Sequence, residues 1–160
     1  MVKSDEADIP SVMQYDKIIF SPGPGLPEEQ PAMFSILKEY TGIKPILGIC
    51  LGLQAIALFY GGELFNLSKV VHGQPREVKI ISPVHYIFKG IAPGFKAGLY
   101  HSWAVSEDSL PSCLEVTARS GEGIIMGLAH KDLDVCGLQF HPESVITDHG
   151  QGMMDNWIAR

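Results

Sequence analysis

Cys50 lies between Gly48 and Gly52, after the apolar pair Ile46-Leu47 and before the apolar stretch Leu53 to Tyr60. A strand that turns sharply into a helix holds its turn residue clear of the sheet, and glycines two before and two after keep Cβ atoms away from the neighbouring backbone. The spacing therefore predicts a nucleophile elbow with cysteine in place of serine. A helix start also brings free N–H groups and a positive dipole end, which favour a thiolate over a thiol. Far along the chain, His141-Pro142-Glu143 places an imidazole and a carboxylate on one side of an extended segment, with proline discouraging helix. These three side chains are the parts of an acyl-transfer site. Cys50 attacks an amide carbon, His141 carries the proton to the departing amine, and Glu143 holds the imidazole in the useful tautomer. The oxyanion needs two donors, and the N–H of Leu51 and a glycine N–H from Gly23-Pro24-Gly25 are the candidates.

The elements that must position these groups are short strands ending in loops. Tyr15 to Phe20 reads as a buried strand stopped by Ser21-Pro22-Gly23-Pro24-Gly25, and Pro27 opens a helix through about Tyr40. The Gly23 to Gly25 loop lacks the Gly-Lys-Ser/Thr of a phosphate loop and the third glycine of a dinucleotide fingerprint, so nucleotide binding is the weaker reading. Segments 63–71, 76–81, 95–100, 113–119 and 124–130 are β-type and separated by Gly, Pro and Ser, which predicts a small antiparallel β layer. Asp134 to Phe140 is a last buried strand that empties into His141, and 152–160 is a closing helix. In open α/β sheets ligands bind at the carboxyl ends of strands, so the loops bearing Gly23, Cys50 and His141 are expected to converge. The fold expected is α/β: an open, mostly parallel sheet with flanking helices, as one domain over 1–160.

Composition narrows the function classes. The net charge of −6, with no Lys/Arg cluster, argues against nucleic acid, and no run reaches the roughly 18 apolar residues of a membrane span. Three widely spaced cysteines predict no disulfide framework and a cytoplasmic setting. Cys113 and Cys136 read as small core residues. His72, His85, His130 and His149 have no second polar motif beside them and read as exposed or structural. No Cys-x-x-Cys or His-Glu-x-x-His spacing is present, so neither metal nor cofactor is expected.

Four ordered motifs then carry a resemblance that spans nearly the whole chain. Ser-Pro-Gly-Pro-Gly at 21–25, Gly-Ile-Cys-Leu-Gly-Leu-Gln at 48–54, Tyr-His-Ser-Trp at 100–103 and Gln-Phe-His-Pro-Glu-Ser at 139–144 resemble the class I (triad) glutamine amidotransferases, flavodoxin-like in fold. Within that family the chain is most similar to glutaminase subunits of anthranilate synthase and of 4-amino-4-deoxychorismate synthase. The resemblance implies hydrolysis of L-glutamine through a γ-glutamyl thioester on Cys50, with His141 and Glu143 completing the triad. It implies ammonia transfer to a larger chorismate-aminating synthase subunit that raises glutaminase activity, in tryptophan or in folate biosynthesis. It also implies that Gly23, Pro24, Gly25, Leu51, Gln54 and the Ser102-Trp103 backbone hold the glutamine. Val71-His72-Gly73 resembles a family loop with a structural or partner-contact role. Leu53 stands where chorismate-linked members usually carry histidine. Family members begin with a complete strand-helix-strand unit, and measured against them this chain is expected to lack the first strand and helix, which leaves an open edge and an uncovered apolar face beside Tyr15 to Phe20 as expectations. Two other functions fit the same motifs: a non-catalytic domain that binds the synthase, and a free-standing cysteine hydrolase acting on γ-glutamyl or peptide bonds.

Overall fold

A computed structural model describes residues 8–160, apart from the side chains of 68–72 and 74. Its strands, in chain order, are β1 (Ile18–Phe20), β2 (Ile46–Ile49), β3 (Leu64–Ile80), β4 (Gly94–Val105), β5 (Leu114–Ser120), β6 (Ile125–His130) and β7 (Val135–Leu138). The helices are α1 (Pro31–Tyr40), α2 (Leu51–Phe59) and α3 (Gly150–Ile158). Among the described residues these seven strands join one sheet in the order β1-β2-β7-β6-β5-β3-β4.

The α/β class with an open sheet and flanking helices is observed, with one change of proportion. Only β1, β2 and β7 run parallel, and β6, β5, β3 and β4 follow antiparallel in the same sheet. The expected antiparallel layer is thus a continuation of the sheet, which is mixed. Short Gly- and Ser-rich connections such as Gly121-Glu122-Gly123 allow hairpins, whereas parallel neighbours need a helix to cross over.

Local chemistry explains the element bounds. The helix expected from Pro27 to Tyr40 is divided into a 3-10 turn at Pro27–Glu29 and α1, because Pro31 lacks an N–H and pushes Gln30 out of the helical region to φ −119°, ψ 66°. α1 then buries Met33, Ile36, Leu37 and Tyr40, the i, i+3, i+4, i+7 face of a helix lying on a core. α2 buries seven consecutive residues, Leu51 to Ala57, which fits a helix covered on nearly all sides. It ends where Gly61, at φ +95°, lets Gly62 N–H reach the Ala57 carbonyl and Gly61 N–H the Leu58 carbonyl. The two strands expected over 63–71 and 76–81 are a single strand, β3, whose register against β4 shifts around Asn66/Val71 and His72/Gln74. Gly73 at φ +65° absorbs one extra residue as a bulge instead of ending the strand.

β1 is an edge strand among the described residues, paired with β2 alone. Its Ile18 and Phe20 are buried against α1 and α2, while Ile19 faces out at 44% exposure. Residues 8–14 hold a 3-10 turn at Ile9–Gln14, whose Ile9 and Val12 pack on that same cluster. Residues 1–7, and the Val71 and His72 side chains, lie outside what the structure describes. Among the described residues no helix is long and apolar enough to cross a membrane.

Candidate functional site

Cys50 is both the last residue before α2 and, among the described residues, one of two non-glycine residues with positive φ, at φ 53° and ψ −101°. That conformation is sparsely populated for an L residue and persists only where the surroundings impose it. The glycine frame shows how they do so. A Cβ on Gly48 would lie 2.4 Å from the Gly52 backbone, and one on Gly52 would lie 2.6 Å from the Phe20 carbonyl oxygen. The turn is therefore packed backbone to backbone between β1, β2 and α2, as the spacing of two predicts.

β1, β2 and β7 are adjacent and parallel, so the loops at their carboxyl ends meet. They carry Gly23 to Gly25, Cys50, and His141 with Glu143. A pocket of about 160 Å³ opens over Cys50, lined by Gly23, Pro24, Gly25, Leu51, Gln54, Tyr100, His101, Ser102 and Trp103. Every residue expected to hold substrate borders it. The far wall comes from β4, which is brought over the strand ends by the 141–148 segment. His141 N–H donates to the Gly98 carbonyl, and Thr147 Oγ1 accepts from Gly98 N–H at 3.0 Å. Lys96 N–H donates to the Asp148 carboxylate while the Lys96 carbonyl accepts from Asp148 N–H. Gly25 has φ +80°, and the Glu29 carboxylate occupies the space a Cβ would need while accepting from Leu26 N–H. Neither Gly23 N–H nor Gly25 N–H donates to an acceptor among the described residues.

His141 Nδ1 and Glu143 Oε1 are 2.8 Å apart. The carboxylate accepts from Nδ1–H, so the proton-accepting lone pair is at Nε2. That atom is buried and has no hydrogen-bond partner among the described residues, and the Tyr100 ring packs edge-on against the imidazole at 4.9 Å. Glu143 itself is half exposed. The sulfur of Cys50 is not hydrogen-bonded to His141 in this state. It accepts from Leu51 N–H and lies 3.6 Å from Gln139 Nε2. Burial pushes the Cys50 thiol up to about 11, with the charge of Glu143 adding to the effect; the Leu51 N–H and the Gln139 amide pull the other way and lose. This corrects the expectation that the helix start yields a thiolate: desolvation outweighs the donors that reach the sulfur, and the resting group is a thiol.

Three residues at the site have no role that their sequence context alone assigns. Gln139 is fully buried; Tyr100 and His101 border the pocket. All three stand inside the four motifs, which is the signal that could have found them. Other placements refine the expectations. Gln54 uses both amide hydrogens within the protein, to the Trp103 carbonyl at 2.9 Å and Gln139 Oε1 at 3.2 Å, so it offers a ligand only its oxygen. The Trp103 carbonyl also accepts from His101 Nδ1 at 2.7 Å and has no lone pair left for substrate. Leu53 is fully buried with Val105, Ile125 and Leu128, so this position is a packing site here. Cys136 is buried and Cys113 half-buried, both as free thiols. His130 and His85 accept hydrogen bonds from nearby backbone N–H groups, and His149 precedes α3 at φ 59°. Among the described residues no three His, Cys, Asp or Glu side chains are grouped as metal ligands.

Comparison with known proteins gives the family. The family profile described as glutamine amidotransferase class-I matches residues 1–160. A candidate anthranilate synthase component II of Haemophilus influenzae is 45% identical over 145 residues, which cover 91% of this chain and 75% of that protein. Aminodeoxychorismate synthase component 2 of Escherichia coli is 39% identical over 158 residues, covering 96% and 81% respectively. The crystal structure of a candidate GMP synthase component from Thermoplasma acidophilum superposes with a TM-score of 0.85 at 25% identity, over 95% of this chain and 75% of that one. The chain belongs to the class-I glutamine amidotransferase family.

Proposed function

We propose that this chain hydrolyses L-glutamine through a thioester on Cys50 and delivers the ammonia to a larger, chorismate-aminating synthase subunit. The observation that carries the reading is the strained elbow: Cys50 is held at φ 53° on the floor of a pocket whose walls are the loops expected to bind glutamine. Strain of this kind is retained where it serves a site. In the first step the Cys50 sulfur bonds to the amide carbon as His141 Nε2 takes the thiol proton. Leu51 N–H and the unengaged N–H groups of Gly23 and Gly25 receive the oxyanion. The carbon–nitrogen bond then breaks as His141 returns the proton to the leaving nitrogen, which departs as ammonia. Water, deprotonated by His141, attacks the thioester; glutamate leaves and the proton returns to sulfur. Glu143 stabilises the imidazolium in both halves, and glutamine is held by Gly23, Pro24, Gly25, the Gln54 oxygen and Ser102.

The open contact between Cys50 and His141, with a thiol pushed up to about 11, describes a resting site. Binding of glutamine and of the synthase subunit is expected to close it. Similarity to an anthranilate synthase component favours anthranilate formation and tryptophan biosynthesis; the match to the Escherichia coli protein, named for aminodeoxychorismate synthase, favours folate as the second reading. The test is a coupled assay with each type of synthase subunit, chorismate and glutamine, following anthranilate fluorescence and aminodeoxychorismate separately. Formation of either product dependent on this chain and on Cys50 is the expected result. Glutamine hydrolysis that no synthase subunit changes, with neither product formed, overturns the ammonia-donor role.

A further inference from the structure

The triad chemistry uses Cys50, His141 and Glu143 and leaves Gln139 without a task, yet Gln139 is the side chain that touches the nucleophile. It follows β7 directly, is fully buried, and lies with its amide nitrogen 3.6 Å from the Cys50 sulfur. Its other end meets Gln54, and Gln54 meets the Trp103 carbonyl on β4. The result is a buried chain of hydrogen bonds from β4 across α2 and β7 to the thiol.

The direction of every link follows from one atom. A backbone carbonyl only accepts, so the Gln54 group facing Trp103 at 2.9 Å is the NH2. The same NH2 lies 3.2 Å from the Gln139 amide, which must answer with its oxygen. Gln139 is then obliged to present its own NH2 to the sulfur. Turned the other way, it would set two buried NH2 groups face to face, with neither able to accept. His101 Nδ1, also donating to the Trp103 carbonyl at 2.7 Å, holds that anchor from the other side. Amide orientation is ordinarily assigned from such networks, and here the network admits one assignment.

We propose that Gln139 is a positioning residue for Cys50: its amide, turned by the Trp103 carbonyl through Gln54, donates to the sulfur, sets its direction and favours its anion. While His141 Nε2 is unengaged, Gln139 is the side chain that decides where the sulfur points. Because Trp103 stands in the β4 wall of the pocket, the same chain couples that wall to the nucleophile. The proposal rests on Cys50 being the nucleophile, and its test is separate from that of glutamine hydrolysis.

The titratable groups around the sulfur are His141, Glu143 and, in the pocket wall, Tyr100 and His101. Iodoacetamide alkylation of the full chain, read by peptide mass spectrometry across pH, reports Cys50 directly, with Cys113 as the internal reference. Gln139→Met keeps the length and removes the donor. It is expected to slow Cys50 alkylation about tenfold at a fixed pH below the transition, which corresponds to an upward move of about one pH unit. Cys113 is expected not to change. Gln54→Met frees Gln139 to rotate and shifts the profile in the same direction; the double variant goes no further than Gln139→Met alone. A folded Gln139→Met with an unchanged or downshifted Cys50 profile overturns the proposal, as does an unchanged Gln54→Met profile should Gln139→Met fail to fold. A structural role alone lowers stability without moving this profile. Failure of wild-type Cys50 to react with a glutamine-derived affinity label is a different result, which would instead count against the glutaminase reading.

Discussion

Replacing Cys50 by alanine and by glycine should reverse the usual order of stability. Both variants lose the same sulfur, and glycine loses the buried Cβ as well, which is worth about 0.8 kcal/mol in favour of alanine. At an ordinary site glycine is the less stable of the two by about 0.4–1 kcal/mol, because its unfolded chain has more freedom to lose. At Cys50 the backbone stands at φ 53° and ψ −101°, outside even the left-handed helical region that side chains tolerate. A Cβ there costs about 1–3 kcal/mol. Alanine keeps that cost and glycine removes it. The net expectation is that Cys50→Gly exceeds Cys50→Ala by about 0.5 kcal/mol, or about 1–2 °C in Tm for a domain of this size. Urea unfolding followed by circular dichroism, with equal slopes in the two variants, is the assay. Alanine ahead of glycine by the full unstrained margin of about 1–2 kcal/mol would mean that the elbow stores no strain, and the structural reason for choosing Cys50 over the other cysteines would fall.

Gly48→Ala puts a Cβ 2.4 Å from Gly52 backbone atoms that have no flexible side chain to give way; it should cost at least the roughly 1–3 kcal/mol typical of overpacking and abolish glutamine hydrolysis, checked by urea melts and ammonia release. Raising pH should destabilise the chain through Cys50: the unfolded thiol loses its proton near 9 while the folded one keeps it to about 11, so stability is full below 9 and falls as pH rises toward 11. By about pH 10 this amounts to roughly 1 kcal/mol, and Cys50→Ala should show a correspondingly smaller loss between about pH 8 and pH 10 in matched urea titrations. His141→Ala should lower kcat by at least about 10²-fold with little change in KM, since the imidazole moves a proton and does not bind glutamine; steady-state ammonia release separates the two.

The elbow was legible in the sequence because its constraint is local. Gly48, Cys50 and Gly52 belong to one turn, and backbone packing alone demands their spacing. His141 and Glu143 were legible for the same reason, two positions apart on an extended segment. The meeting of the three loops was inferred from the habit of open α/β sheets, and it follows in the structure from the adjacency of β1, β2 and β7. Other features depended on contacts that sequence patterns do not encode. The thiol is raised, not lowered, because burial at the elbow exceeds the benefit of the helix start, and burial is a property of the assembled fold. Gln139 looked like the tail of a strand, and its amide matters only because Gln54 and Trp103 arrive from other elements. Gly73 and Pro75 resemble a turn between two strands, whereas β4 supplies a partner against which Gly73 forms a bulge and Pro75 stays in register with Gly98.

The most direct measurement is intact-protein and peptide mass spectrometry after exposure to a glutamine-derived diazo-ketone, with the synthase subunit present. The account predicts one adduct, on Cys50, blocked by excess glutamine and absent from Cys113 and Cys136. An unmodified Cys50, or an adduct distributed among the cysteines that glutamine does not block, would contradict it.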